Sequence, residues 1–537
     1  MIGKVKKYLL SHKVEITILF LILIVASFLR LYRIADYMSF LGDEGRDAIV
    51  AKDILHGNFT LLGPRASAGD FFLGPIYYYF MAPFLLLSNY DPVGPAIMVG
   101  LFGIATVGLV YIVGKRLFNQ LAGFIAASLY AISPLVIAYS RSSWNPNLMP
   151  FFSLLILFGL YLGLQRKSLK TLGLVGFLLG IAMQLHYLTV FLGVIVFLFV
   201  IIQGYLESRK INLRKYLYKF FAITVGFVIG LSPFLLFEVR HGFPNIQTIF
   251  KFVFEDNTSK GYSIGQSFLG NIFDVSYRLF ARLVTAFPPP EQVNVSENIN
   301  LLIWQIATIF LGVVTVASIY FVKDKIKVTL LLLWLVFGIL LFGIYRKPIY
   351  DYYLGFMFPL PFLLVGNLMS RLSTLKKYTF IGIIAAVVSI GIIVALSLYA
   401  NPFRFPPNKQ KDQAQRIANF VLEKAEGKPF NFALLTRGNS DHVYRYFFET
   451  ANKAPVTILN TNIDPARNSV TDQLIVVCEF SECQPLGNPL WEVAGFGRAE
   501  VVGVWDVPFV KIYKLKHYEG LVTEEVETQS PTSQKNK

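Results

Sequence analysis

The chain has 537 residues, of which 55% are hydrophobic and only 15% charged, with a mean hydropathy of +0.55. Soluble domains carry about 25% charged residues, so this composition excludes an ordinary soluble globular protein and reads as a polytopic membrane protein. The net charge of +16 does not mark a nucleic-acid binder, because the basic residues fall in short clusters between apolar runs rather than on one soluble face.

The first apolar run, Val14 to Leu31, lacks a small-residue cleavage site and is long enough to span, so it reads as a retained helix. A helix needs about 20 mostly apolar residues to cross the hydrocarbon core. On that measure spans are expected near 14–32, 93–113, 121–138, 148–164, 171–186, 188–204, 219–237, 301–322, 328–345, 352–368 and 378–398. The predicted fold is therefore mainly α, with about eleven transmembrane helices.

Orientation follows from the basic clusters. Lys4, Lys6, Lys7 and Lys13 precede the first span and place the N-terminus in the cytoplasm. Lys115 and Arg116, then Arg166, Lys167 and Lys170, then Arg209, Lys210, Arg214, Lys215 and Lys219 follow alternate spans. Lys323, Lys325 and Lys327, and finally Arg371, Lys376 and Lys377, continue the alternation. All the clusters then share the cytoplasmic side, and everything after residue 400 is outside.

This alternation forbids a complete crossing by Pro75–Ser88. At about 14 residues and roughly 1.5 Å each the segment reaches only ~21 Å, and Pro83 interrupts it. It is expected to be interfacial or re-entrant, with Tyr77, Tyr78 and Tyr79 at the membrane surface. The first outer loop then runs from about residue 33 to about residue 92, and within it Arg46–Leu55 reads as an amphipathic helix closed by Gly57.

That loop opens with Leu41-Gly42-Asp43-Glu44-Gly45-Arg46-Asp47-Ala48. Asp43 reads either as the N-cap of the helix, with Glu44 and Asp47 favouring its positive end, or as a base that takes a proton from a hydroxyl. Arg46 lies one turn away, at a spacing that suits phosphate binding beside the base or an ion pair with Asp43 or Asp47. Asp70, near the loop's other end, reads as a second acidic contributor or as a turn residue.

Other outer connections carry Arg141, Trp144 and Asn145; His186; Arg240 and His241; and Arg346 and Lys347. Trp144 fits an interfacial anchor. The five groups His186, Arg240, His241, Arg346 and Lys347 end spans on one face, a pattern suited to an anionic head group, a phosphate in particular. No His, Cys or carboxylate set has metal-ligand spacing, although Asp43 and Glu44 are able to share a divalent ion with a phosphate.

Beyond residue 400 a small α/β domain is expected outside the membrane: helices at Lys409–Glu426 and Asp441–Thr450, and strands at Phe430–Thr436, Val456–Leu459, Leu474–Phe480 and Val501–Leu515. The domain boundaries read as 1–399, 400–520 and a polar, disordered tail at 521–537. An extracytoplasmic address permits a disulfide between Cys478 and Cys483, the only two cysteines. There is no Walker loop or dinucleotide fingerprint.

A cytoplasmic N-terminus, one span and an acidic pair in a long outer loop resemble the plan of GT-C glycosyltransferases. Gly42-Asp43-Glu44-Gly45-Arg46 resembles the Asp-Glu motif of protein O-mannosyltransferases and aminoarabinose lipid A transferases, and Gly74-Pro75-Ile76-Tyr77-Tyr78 the Pro-aromatic stretch that follows it. Lys115-Arg116-Leu117-Phe118, Ser140-Arg141 and Asn145-Pro146-Asn147 are similar to residues of bacterial members. The likeness covers roughly residues 10–400. It implies a polyprenyl-phosphate-linked sugar donor, an acceptor hydroxyl on lipid, glycan or protein, inverting transfer at the outer face of the cytoplasmic membrane, and no required cofactor. It casts Asp43 as the catalytic base, with Glu44 beside it; Arg46, Asp47, Arg141, His186, Arg240, His241, Arg346 and Lys347 are the candidates for holding substrate and phosphate. Leu73 and Gly74 stand where the aminoarabinose transferases carry a Glu-Lys pair, so the acceptor is expected to differ from lipid A. The alternative is a transporter or flippase for a lipid-linked or anionic substrate; such proteins usually show repeated halves and midplane charges, which this chain lacks.

Overall fold

The structure is a computed structural model that describes residues 12–66, 69–208, 213–254, 267–345, 347–375, 379–480 and 482–520. Arg346, the expected tail at 521–537 and the basic residues at 4–7, 209–210 and 376–377 lie outside the described residues. The chain divides into two compact units at Asp412/Gln413.

The first unit is helical: α1 (Lys13–Leu31), α2 (Gly42–Leu55), α3 (Ile76–Leu87), α4 (Val93–Leu117), α5 (Gln120–Ile132), α6 (Met149–Gln165), α7 (Leu169–Leu185), α8 (Thr189–Ser208), α9 (Leu213–Gly230), α10 (Ser232–His241), α11 (Pro244–Phe254), α12 (Phe268–Ala281), α13 (Ile299–Ala317), α14 (Lys325–Gly343), α15 (Pro359–Leu372) and α16 (Thr379–Tyr399). Among the described residues seven helices are long and apolar enough to cross a membrane: α1, α4, α6 with the 3-10 turn that leads into it, α8, α13, α14 and α16. Two bent pairs raise the figure to nine, α9 with α10 at 72° and the 3-10 segment Asp351–Met357 with α15 at 57°. A count of eleven would also need α5 and α7, which have 13 and 17 residues. The span expected at 121–138 is broken. The helix instead stops at Ser133, and Pro134 opens a separate helix, Pro134–Tyr139, because a proline cannot supply an interior N–H. At 12 residues α3 spans about 18 Å, well short of a crossing.

Small residues bring α7 and α9 close together. An added Cβ at Gly176 of α7 would lie 1.9 Å from the Ile223 carbonyl oxygen, and one at Gly226 of α9 would lie 1.9 Å from that of Gly173. The backbones of α7 and α9 therefore touch directly, as membrane helices with small-residue faces do. At the end of α1, the buried Arg141 donates to the carbonyls of Leu29 at 2.9 Å and Tyr32 at 2.7 Å. Those carbonyls belong to the helix end, where backbone acceptors have no intrahelical partner.

In the second unit, α17 (Gln410–Lys424) runs across the boundary and precedes β1 (Asn431–Leu435), α18 (His442–Thr450), β2 (Gln473–Cys478), β3 (Ala499–Val507) and β4 (Val510–His517). The sheet order is β1-β2-β4-β3, with β1 and β2 parallel and the other pairs antiparallel. Both parallel strands are buried along their whole length, which is why they read as continuous apolar runs. Val456–Leu459 is not a strand: Val456 N–H bonds the Phe430 carbonyl and Leu459 N–H bonds the Ser469 hydroxyl, so no ladder forms. The expected single strand at Val501–Leu515 is a hairpin, turning at Pro508-Phe509, where Phe509 takes a φ of 75°. Cys478 and Cys483 form a disulfide.

Candidate active site

The helix α2 begins at Gly42, earlier than the sequence suggests, and its N-cap is Leu41 rather than Asp43. The cause is Glu44, whose Oε2 accepts the Leu41 N–H at 3.1 Å, satisfying one of the orphan donors of the first turn. Glu44, Asp47, Ala48, Ala51 and Ile54 form the buried stripe of the helix at three- and four-residue spacing. Asp43 falls outside that stripe; its side chain is 53% exposed.

Arg46 joins the two acidic environments. Its Nη1 donates to Asp43 Oδ1 at 2.9 Å, while Nε and Nη2 donate to Asp47 Oδ1 at 3.0 and 2.7 Å. Burial pulls the guanidinium down, but Asp47 and Asp43 more than offset it and hold it above its ordinary value. Burial pushes the Asp47 carboxyl up to about 6 against the opposing pull of Arg46. Burial likewise pushes Glu44 up to about 7, although the backbone N–H groups it accepts favour the charged form.

Asp43 and Arg46 line a cavity of about 220 Å³ together with Arg65, Trp144, His186 and Tyr352. Its wall is built from segments far apart in the chain. The 3-10 turn Asn145–Leu148 carries Asn145, whose Nδ2 donates to the Leu185 carbonyl at 2.6 Å and so fixes the end of α7 beside His186. Trp144 and Tyr352 meet with ring centroids 4.3 Å apart. Arg65, not among the residues the sequence singles out, pairs with Asp70 at 2.5 Å. The signal that could have found it is the one applied to Arg141, a basic residue on the expected outer side.

Of the sequence candidates, Asp43, Arg46 and His186 come together in this cavity, and Glu44 and Asp47 lie directly behind them on α2. Arg141 is instead turned onto the end of α1. Arg240 and His241 are exposed at the end of α10, with His241 stacked on Phe237, and neither they nor Lys347 belong to the cavity wall. Among the described residues no group of three or more His, Cys, Asp or Glu side chains converges as a metal site. A half-exposed carboxylate beside a guanidinium, in one cavity, is able to accept a proton and hold an anion in the same place.

The model of the dolichyl-phosphate-mannose-protein mannosyltransferase family matches residues 73–237, less than a third of the chain and a segment that begins after α2. No curated protein matches by sequence. The fold is similar to that of ArnT from Cupriavidus metallidurans, solved in the apo state (TM-score 0.59, 13% identity, 94% of this chain and 98% of that one). The form of ArnT bound to undecaprenyl phosphate has a TM-score of 0.57 at the same identity and coverage. The archaeal oligosaccharyltransferase AglB from Archaeoglobus fulgidus, in complex with an inhibitory peptide and a dolichol-phosphate, has a TM-score of 0.51 at 13% identity over 86% of this chain and 69% of that one. The chain thus shares the fold of these membrane proteins.

Proposed function

We propose that the protein is a membrane glycosyltransferase that moves a sugar from a polyprenyl-phosphate donor to an acceptor hydroxyl. The reading is carried by one observation: Asp43 and Arg46, on the first turn of α2, line the same cavity. The resemblance of Gly42–Arg46 to the acidic motif of protein O-mannosyltransferases supports it, as do the polyprenyl phosphates bound by ArnT and AglB, which share the fold.

In this reading Asp43 removes the proton of the acceptor hydroxyl, and the freed oxygen attacks the anomeric carbon from the face opposite the phosphate. The carbon–oxygen bond to phosphate breaks, the electron pair leaves with the polyprenyl phosphate, and the configuration inverts. The leaving group is already a stabilised anion, so the protein's work is positioning and neutralising charge. Arg46 supplies the charge. Asp47 fixes its guanidinium, and Glu44 holds the first turn in which Asp43 sits. Arg240, His241, Lys347 and Arg346 would guide the anionic donor at long range.

The topology proposed with this chemistry has eleven crossings, α5 and α7 included. The N-terminus is cytoplasmic, and the cavity and the second unit are outside. The Cys478–Cys483 disulfide supports the placement of that unit, since such bonds persist in oxidising compartments. Purified protein incubated with a polyprenyl-phosphate-linked hexose and an acceptor extract should release polyprenyl phosphate. Movement of the lipid-linked sugar across a vesicle membrane with no turnover would favour a flippase instead.

A further inference from the structure

His186 directly follows α7 and shares the cavity wall with Asp43 and Arg46. The residue is 5% exposed. The Leu188 backbone N–H donates to its Nδ1 at 3.2 Å. A backbone N–H can only donate, so Nδ1 carries no proton, and the single ring proton sits on Nε2. The imidazole is therefore a neutral donor. Its Nε2 is buried and has no hydrogen-bond partner among the described residues.

The ring is also held in place. Tyr187 stacks on it with centroids 4.8 Å apart, Tyr353 lies tilted at 5.4 Å, and Tyr352 meets it edge-on at 6.0 Å. Aromatic neighbours fix the ring's orientation, while the backbone fixes its tautomer. Nearly all buried N–H donors in folded proteins have an acceptor, so a buried donor without one, on a cavity wall, is matched to an acceptor that a ligand brings. An anionic oxygen is the strongest such acceptor for an N–H, and the Arg46 guanidinium in the same wall favours an anion there.

We propose that the Nε2–H of His186 is a hydrogen-bond donor to the phosphate of the lipid ligand, a neutral contact where the sequence suggested a cation. The inference rests on the glycosyltransferase reading and adds to it a phosphate partner just past the end of α7, in the cavity that Asp43 and Arg46 also line. Because Nε2–H needs no proton gain to act, it contributes direction rather than charge, and Arg46 supplies the charge.

The test is a titration of the purified full-length protein with a short-chain polyprenyl phosphate, the matching polyprenol and inorganic phosphate. It compares the unaltered protein, His186→Leu and His186→Gln, whose amide N–H can stand close to the Nε2 position. His186→Leu should weaken binding of the polyprenyl phosphate roughly 10- to 100-fold. It should leave the polyprenol within about 3-fold, and His186→Gln should recover most of the loss. The proposal is overturned if His186→Leu binds the lipid phosphate as well as the unaltered protein does, or if phosphate and alcohol weaken together. Inorganic phosphate binding as tightly as the lipid would also overturn it, by making this a free-phosphate site.

A second measurement needs no altered binding site. In protein labelled with ¹⁵N-histidine, the Nε2–H signal of His186 should move on addition of polyprenyl phosphate and stay still with the alcohol. An unmoved signal at saturating lipid phosphate overturns the proposal even where a variant fails to fold. If the unaltered protein binds no polyprenyl phosphate, the glycosyltransferase reading itself falls; if it binds and His186→Leu binds equally, only this inference falls.

Discussion

Arg46 donates from Nη1 to Oδ1 of Asp43 at 2.9 Å, across one turn of α2. The same guanidinium is gripped from behind by the fully buried Asp47 through two further hydrogen bonds. One carboxylate is thus committed to holding the arginine and the other, half-exposed, stands at the cavity. That division of labour is what a base and a charge-bearing neighbour require.

Substitution of the arginine tests the division. Arg46→Lys keeps the charge and loses the planar fork that reaches both carboxylates. Turnover is expected to fall roughly 10-fold or more, with Arg46→Gln lower still, by the loss of charge-assisted bonds. A lysine variant with unaltered single-turnover rates would mean that the fork geometry is not used.

Glu44 gives the stability of the first unit a pH signature. Its carboxyl is raised from an ordinary 4.5 to about 7 by burial. Between those values the folded protein keeps a proton that the unfolded chain has released. The contribution is complete below about pH 4.5 and is lost as the pH rises through about 7. Melting temperature should therefore decline across that window. Glu44→Gln, whose amide oxygen can still accept the Leu41 N–H, should flatten the decline; an unchanged slope would show that another group carries it.

Much of the helical framework was legible from hydropathy, because a run of about 20 apolar residues has few alternatives to a membrane helix. The first turn of α2 was legible as a cluster of charges, but not its start, which depends on Glu44 reaching back to Leu41. The cavity was not legible. Residues 43 and 46, 64–66, 73, 144–146, 186–187 and 352 meet only through tertiary packing, and no local pattern marks Arg65 or Tyr352 as neighbours of Asp43. The contacts of Arg141 were not legible either: it donates to carbonyls at the end of α1, and unsatisfied carbonyls attract a cation as a phosphate does, but the sequence does not display them.

The contact of α7 with α9 offers a stability test away from the site. Gly226→Ala places a methyl group 1.9 Å from the Gly173 carbonyl oxygen, so the helices must separate, at a cost of about 1–3 kcal/mol. Gly193→Ala in α8 meets nothing within 4 Å among the described residues and should be neutral or slightly stabilising. Thermal melting in detergent reads both. Equal melting temperatures for the two variants would contradict the direct backbone contact.

The orientation of the second unit can be read from its cysteines. Protein alkylated directly from cells should show no free thiol at Cys478 or Cys483, and both should become reactive after reduction. Cys483→Ser should lower the stability of that unit by about 2 kcal/mol. Two free thiols in protein taken directly from cells would place the unit in a reducing compartment and contradict the proposed topology.

The most direct test of the central claim is the turnover of Asp43→Asn with a polyprenyl-phosphate-linked sugar, measured beside polyprenyl phosphate binding and melting temperature on the same preparation. Loss of a general base lowers the rate by roughly 100- to 10,000-fold. The expected result is a loss of at least that lower size, with lipid binding and melting close to those of the unaltered protein. Turnover near that of the unaltered protein would contradict the assignment of Asp43 as the base.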